Sequence, residues 1–335
     1  MRIILLLFVL AIAGACSEKE TRSWTQKGEA FGTTYNIQYF AVSEFDAKSG
    51  IDSVINVVNQ SVSTYLPESD ISRINRGDTS VIVDDIFIDV YTLSEKVFKD
   101  SEGYFDPTIG VLRNAYGFGD VKPIADISES VLDSLRQFVG FNKVQLTTEG
   151  KVLKAKPEIY FDFNAVAKGY GIDRIGHFLE SKGVSNYLIE LGGEILSSGI
   201  NLAKDKPWVV GVESVTSTMN DRSYEKAVTI SNQGLASSGN YRKFRIDSVS
   251  GKKYVHTINP LTGLAQQSDV TSATVIASNC AIADAYATAF MAMGLERSKA
   301  LLSASEDLQA YLTYSDSTEI PQVFMTDGFR EQLKK

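Results

Sequence analysis

Asp284 and Thr288 lie four residues apart in Ala281–Met293, a run whose spacing predicts a helix ending at Gly294. Their side-chain oxygens therefore share one helix face. A carboxylate and a hydroxyl placed this way are hard donors of the kind Mg²⁺ accepts, with water and phosphate oxygens completing its octahedron. The surrounding alanines (Ala281, Ala283, Ala285, Ala287, Ala289) let another backbone approach closely. An alanine-rich packing helix with a solvent-facing Asp has the same spacing, so the pair alone does not decide. His256 is one of two histidines and sits in Tyr254–Gly263, where Asn259-Pro260 and Thr262-Gly263 mark a rigid turn. A neutral imidazole there can take a proton from an attacking hydroxyl near neutral pH, and a hydrogen-bonded structural histidine is the alternative. His177 neighbours Phe178 on a predicted helix and reads as packing or surface. The third fragment is Tyr160–Asp173 (YFDFNAVAKGYGID), an aromatic strand, a turn over small residues and a helix with Lys168 in its first turns. Meeting in space, the three fragments would form a magnesium–nucleotide site for phosphoryl transfer.

Other chemistries are excluded more firmly. Neither G-x-x-x-x-G-K-[ST] nor G-x-G-x-x-G occurs, and there is no serine nucleophile elbow, H-E-x-x-H or Cys/His cluster. Gly192-Gly193 and Ser237-Ser238-Gly239-Asn240 can admit a ligand close to the backbone; taken alone, both read as turns. Net charge is −8 with no basic run longer than a pair, so a polyanion-binding surface, and with it nucleic acid as a partner, is not expected.

The elements that must position these residues alternate without a regular βαβ period, which favours α+β. A strand is expected over Ala30–Phe40 and helices over Ile51–Thr64 and Asp89–Ser101. Asp106-Pro107 then forces an extended or turn conformation. A helix capped by Ser128 or Ser130 should bury Leu132, Leu135 and Phe138 and stop at Gly140. A hairpin follows over Val144–Leu153. The helix after Asp162 should bury Ile172, Ile175, Phe178 and Leu179 and stop at Gly183. Strands are expected at Tyr187–Leu191, Trp208–Val212, Ala227–Ile230, Tyr241–Ile246, Val270–Ile276, Gln309–Thr313 and Val323–Met325, with a short helix over Ser298–Leu302. With 335 residues, 44% of them hydrophobic, one intimate unit with two lobes, residues 24–335, is expected.

The N-terminus has its own logic. Ile3–Ala13 is apolar but shorter than the ~20 residues a bilayer span needs, and Gly14-Ala15-Cys16 follows. The run has the length and small-residue exit of a secretory h-region, and that exit resembles a bacterial lipobox. The expectation is lipidation at Cys16, removal of residues 1–15 and a polar tether over Ser17–Ser23, with plain secretion or a structural segment as the alternatives. Only Cys16 and Cys280 exist, so there is no disulfide framework or cysteine metal site. Cys280, among Ala and Ile, reads as a buried inert thiol.

The order of fragments resembles one family. Phe31–Tyr35 (FGTTY), Ser63–Asn75 (STYLPESDISRIN), Gly103–Pro107 (GYFDP), Asp162–Gly169 (DFNAVAKG), Glu190–Glu194 (ELGGE), Ser237–Tyr241 (SSGNY), His256–Gly263 (HTINPLTG) and Ala283–Gly294 (ADAYATAFMAMG) are similar, in sequence order, to motifs of the ApbE-type FAD:protein FMN transferases. The resemblance implies an ApbE-like fold with its active site between two lobes. It implies an enzyme that uses FAD and Mg²⁺ to place FMN on a Thr or Ser hydroxyl of an acceptor protein, such as a membrane redox subunit, releasing AMP. Asp284, Thr288 and the Ala165 carbonyl would hold Mg²⁺, His256 would be the base, and Tyr65, Tyr104, Phe105, Asp106, Asp162 and Lys168 would line the FAD site, Tyr65 as the stacking aromatic. A lipid-anchored protein of the bacterial cell envelope, facing the periplasm or the outside, is the implied setting. An FAD pyrophosphatase and a non-catalytic flavin-binding lipoprotein are the alternatives. Asn164 stands where many members carry a small residue, and Asn259 replaces the commoner Asp before Pro.

Overall fold

A computed structural model describes residues 20–124, 127–214, 223–240, 244–246, 251, 253–315 and 320–334. The expected leader, the lipidation site Cys16 and residues 241–243 of the expected Tyr241–Ile246 strand lie outside the described residues.

The first strand expectation is corrected. Arg22–Ala30 (β1) and Thr33–Ala41 (β2) pair antiparallel as a hairpin. Phe31 and Gly32 between them take φ of 50° and 77°, the left-handed pair that a two-residue I′ turn requires. Alternation runs on through this turn, so periodicity does not reveal the reversal. Arg22 and Ser23, expected in the tether, belong to β1 and pair with Ala41 and Phe40.

Six more strands join this hairpin: Tyr187–Leu191 (β3), Glu194–Ser198 (β4), Gln233–Gly239 (β5), Val270–Ala277 (β6), Gln309–Ser315 (β7) and Pro321–Met325 (β8). Their order across the sheet is their order in the chain, and every neighbouring pair is antiparallel. The sheet is thus one meander, and the rest of the chain is inserted between its strands. Ala47–Val62 (α1), Asp70–Asn75 (α2), Asp85–Asp100 (α3), Gly110–Ala115 (α4), Glu129–Arg136 (α5) and Ala167–Ser181 (α6) all lie between β2 and β3. Cys280–Met293 (α7) and Leu295–Ser303 (α8) lie between β6 and β7, and Asp327–Glu331 (α9) follows β8.

Caps explain where the helices begin. Asp46 accepts the Ser49 amide at 3.0 Å and Asp84 that of Phe87 at 2.9 Å, so α1 and α3 each start four residues before the expected Ile51 and Asp89. Asn279 caps α7 through the Ile282 amide at 2.9 Å. Phe178, expected fully inward, is half-buried and lies over Gly50 of α1, where a Cβ would strike its ring.

α7 is apolar nearly all round and correspondingly buried. It lies between β5 and β6 on one side and α3 and α6 on the other. Its alanines, with Ala236, Ala273 and Ala277 of the sheet, belong to the main core, where small side chains bring the backbones together. On the other face of the sheet, the hairpin Trp208–Glu213/Tyr224–Ile230 packs with Phe40, Ile195, Tyr311 and Phe329. The α6–α7 crossing is tight: a Cβ on Gly169 would lie 2.6 Å from the Cys280 carbonyl oxygen and 2.8 Å from Ala281 Cα. Asp173 of α6 fixes its register by accepting the Cys280 and Ala281 amides, both at 2.8 Å. Burial outweighs those bonds and pushes its carboxyl up to about 7.

Candidate active site

A cavity of about 780 Å³ opens beside the start of α6. Tyr65, Tyr104, Phe105, Asp106, Asp162, Ala165, Lys168, His256, Asp284 and Thr288 all line it, although they come from five separated stretches of chain. Its size falls in the roughly 300–1,000 Å³ range of small-molecule and cofactor sites.

The stretch from Tyr160 to the start of α6 is held from both sides. Asn75 donates to the Phe161 carbonyl at 2.9 Å and accepts the Phe161 amide at 2.7 Å. The Asp162 amide bonds to the Pro107 carbonyl at 2.7 Å. Asp162 Oδ1 accepts from both the backbone and the side-chain amide of Asn164, at 2.8 and 2.6 Å. Asn164 thus braces the Asp162 carboxylate, a bond a small residue at that position cannot make. Asp106 lines the cavity while its oxygens secure the Asp-Pro turn. They accept from the Thr108 amide (2.8 Å), the Thr108 hydroxyl (2.6 Å) and the Phe141 amide (3.1 Å). Burial, the largest influence, still raises its carboxyl to about 6. Tyr104 is half-buried, and Arg297 of α8 lies 5.0 Å from its ring centroid.

His256 is half-buried on the turn after the strand Lys253–Val255. Asn259 organises that turn: its side-chain oxygen accepts the Leu261 amide at 2.9 Å and the Thr262 amide at 3.3 Å, and its carbonyl accepts Gly263 at 2.8 Å. An amide oxygen serves there as well as a carboxylate, which accounts for Asn in place of Asp.

Asp284 is buried rather than solvent-facing, which removes the surface alternative for α7. Three charges meet around it. Lys168 Nζ pairs with Glu194 Oε2 at 2.5 Å, and the Lys168 pKa is raised although burial, its largest influence, lowers it; Glu194 and then Asp284 outweigh that burial. Asp284 is pushed up to about 7, by burial first and Glu194 second. Two carboxylates and one ammonium leave an ionised cluster one negative charge in excess, a setting that favours a bound cation.

The donors suit one as well. The Gly169 amide, which an unbroken helix would aim at the Ala165 carbonyl, donates instead to Asp284 Oδ2 at 3.1 Å. This leaves the carbonyl without that helical partner. Thr288 Oγ1 lies 3.3 Å from Ser238 Oγ on β5. Carboxylate, hydroxyl and carbonyl are the hard oxygens that Mg²⁺ takes. Among the described residues no group of three or more His, Cys, Asp or Glu is gathered for a metal; a set with a single acidic ligand is of another kind.

Two wall residues went unread as site residues in the sequence. Arg113 of α4 lines the cavity and pairs with Asp162 Oδ2 at 2.6 Å, but its surroundings carry no motif. Glu194 lies within the ELGGE segment, yet its partner Lys168 belongs to a different element, α6. The Gly192-Gly193 pair makes the β3–β4 turn at φ of 62° and 108°, which delivers Glu194. Ser237 and Ser238, read as a turn, are strand residues of β5 and line the cavity.

These features define a class: a mixed α+β protein whose insertions converge on an oxygen-rich cavity of cofactor-site size, of neither the Walker nor the Rossmann type. The sequence matches the ApbE family over residues 31–312, and the chain belongs to that family. It is similar to an FAD:protein FMN transferase of Haemophilus influenzae, 33% identical over 316 residues that cover 90% of each chain. A second FAD:protein FMN transferase, from Vibrio cholerae, is 33% identical over 336 residues, 96% of this chain and 93% of that protein. Among solved structures, the flavin transferase ApbE from Vibrio cholerae superposes with a TM-score of 0.81 at 29% identity, covering 94% of this chain and 100% of that one.

Proposed function

We propose that this protein transfers the FMN portion of FAD to a Ser or Thr hydroxyl of an acceptor protein, forming a phosphoester and releasing AMP. The observation that carries this reading is the convergence of acid, hydroxyl, lysine, histidine and aromatic residues on one cavity, in a chain whose relatives bear the name FAD:protein FMN transferase. The aromatic and apolar wall binds the ring systems, and Lys168 supplies a fixed positive charge for the diphosphate. His256 accepts the acceptor hydroxyl proton on an imidazole nitrogen. The hydroxyl oxygen then bonds to the FMN phosphorus, and the bond to AMP breaks with its electron pair leaving on the AMP oxygen. Asp284, Thr288 and the Ala165 carbonyl would hold Mg²⁺, which would supply Lewis-acid charge neutralisation. Cys16 carries the lipid in this reading and tethers the enzyme to the cell envelope, facing the periplasm or the outside.

The test is to incubate the protein with FAD and Mg²⁺, with and without a flavin-accepting protein. AMP release and an in-gel fluorescent acceptor band, both only when acceptor is present, are expected. AMP release without acceptor would indicate a hydrolase, and FAD binding with no AMP a carrier.

A further inference from the structure

Tyr65 is an exposed aromatic at the cavity wall: it is 58% accessible and lies in the loop after α1. A tyrosine so placed loses rotamer freedom when a ligand settles against it, and that loss subtracts from affinity. Here the ring is already held. Its hydroxyl accepts from Arg113 Nη2 at 2.6 Å, and the guanidinium carbon lies 5.8 Å from the ring centroid. The Arg113 side chain is only 13% exposed, and its Nη1 lies 2.6 Å from Asp162 Oδ2, on a side chain 3% exposed. Asp162 Oδ1 is in turn taken by Asn164.

We propose that Arg113 is a positioning residue: it spans Asp162 and Tyr65 and presets the Tyr65 ring as a wall for one planar ring system of the dinucleotide. The inference rests on reading the cavity as an FAD site. One cation holds two partners that belong to different segments, the loop after α1 and the turn before α6. Only a planar fork meets both at once; an ammonium is a single point charge and cannot reproduce the pair. The contact to Tyr65 is a charge-assisted hydrogen bond, the stronger kind, and the contact to Asp162 is a close ion pair. Asn164 extends the chain of bonds by fixing the far side of the carboxylate. Asp162 Oδ1 is taken by Asn164 and Oδ2 faces the Arg113 guanidinium, so Asp162 acts through Arg113. Arg113 has no part in the bond-making step, and its effect falls on binding.

The experiment is a double-mutant cycle on FAD binding, read by quenching of flavin fluorescence, with KM and kcat for AMP release measured alongside. Arg113→Ala is expected to weaken FAD binding about tenfold, the scale of one charge-assisted hydrogen bond. KM should rise and kcat stay within about twofold. Tyr65→Phe should weaken binding several-fold, and the double variant should be no weaker than Arg113→Ala alone. Arg113→Lys should fail to restore affinity. Additive losses, rescue by lysine, or a fall in kcat with KM unchanged would overturn the proposal. Should Arg113→Ala not fold, Tyr65→Phe decides, since its ring is exposed; unchanged FAD affinity in that variant also overturns it. Absence of FAD binding by the wild-type protein sinks the functional reading together with this inference. Wild-type binding with additive losses sinks the inference alone.

Discussion

Gly169→Ala sets two opposing effects against each other at one atom. In a helix interior alanine is favoured over glycine by about 1 kcal/mol, and Gly169 lies within α6. By propensity alone the substitution should stabilise. The added Cβ, however, would meet the Cys280 carbonyl oxygen at 2.6 Å and Ala281 Cα at 2.8 Å, both backbone atoms of α7. Neither can rotate away, so the helices must separate. Overpacking of this kind costs about 1–3 kcal/mol, here toward the upper end. Separation also stretches the 3.1 Å bond from the Gly169 amide to Asp284, and a bond to a charged group contributes about 1.5–3 kcal/mol. The net expectation is a loss of about 2–4 kcal/mol. With an unfolding entropy of about 2.1 cal/mol/K per residue, that lowers the melting temperature by roughly 3–6 °C. Because Asp284 is the carboxylate displaced, AMP release should fall by more than the folded fraction does. Thermal melting and turnover on the same preparation check both parts. Gly183→Ala is the control: φ is +80° there with nothing within 4 Å, so only backbone strain of about 1–2 kcal/mol is expected. A Gly169→Ala protein as stable and as active as the parent would refute the argument that this crossing sets the position of Asp284.

Four further outcomes follow from the site and its surroundings. Asp284→Asn should cut AMP release about 10³-fold or more, several kcal/mol of charge stabilisation, whereas His256→Ala should block transfer to protein while leaving FAD affinity within a few-fold; wild-type flavinylation by the His256 variant would remove histidine as the base. Glu194→Gln removes the 2.5 Å ion-pair partner of Lys168 but leaves Asp284 to balance the ammonium, so it should cost about 1.5–3 kcal/mol, the scale of one bond to a charged group; an unchanged denaturant midpoint would show that the pair contributes nothing net. Folding stability should fall as pH rises from about 4 to about 7. Asp106 at about 6 and Asp173 at about 7 are both raised by burial above the unfolded value of about 3.9, so the fold holds their protons more tightly than the unfolded chain and loses that advantage as each ionises. Denaturation at pH 5 and pH 8 reads the difference, and Asp173→Asn should flatten its upper part; stability rising over this interval would contradict the assignment.

What the sequence disclosed depended on how local each cause was. α7 could be read because alanine spacing and Gly294 are local signals, and the Asn259 turn for the same reason. β5 could not: Gln-Gly-Leu-Ala-Ser-Ser-Gly has the composition of a turn. It is a central strand because a Cβ at Gly234 would come within 2.3 Å of the Asn279–Cys280 backbone, a demand imposed by α7 from elsewhere in the chain. Arg113 and Glu194 escaped notice for a related reason. Each becomes part of the site only through a partner in another element, Asp162 and Lys168, and pairwise electrostatics across a fold leaves no periodicity. The helices α2 and α4, six residues each, are too short to show a period at all.

The meander has a consequence for how such a protein can change. Since strands adjacent in the sheet are also consecutive in the chain, every excursion departs and returns through neighbouring strands, about 4.8 Å apart. The segment 42–186 brings Tyr65, Tyr104, Asp106, Arg113, Asp162 and Lys168, yet its two ends are joined by the β2–β3 ladder that places Tyr39 opposite Tyr187. It is a detachable cassette in a topological sense: its length and contents can be rewritten without altering one pairing in the sheet. Asp284, Thr288 and His256 arrive in other cassettes, so the parts of one cavity wall are separately editable and clasped to a common frame.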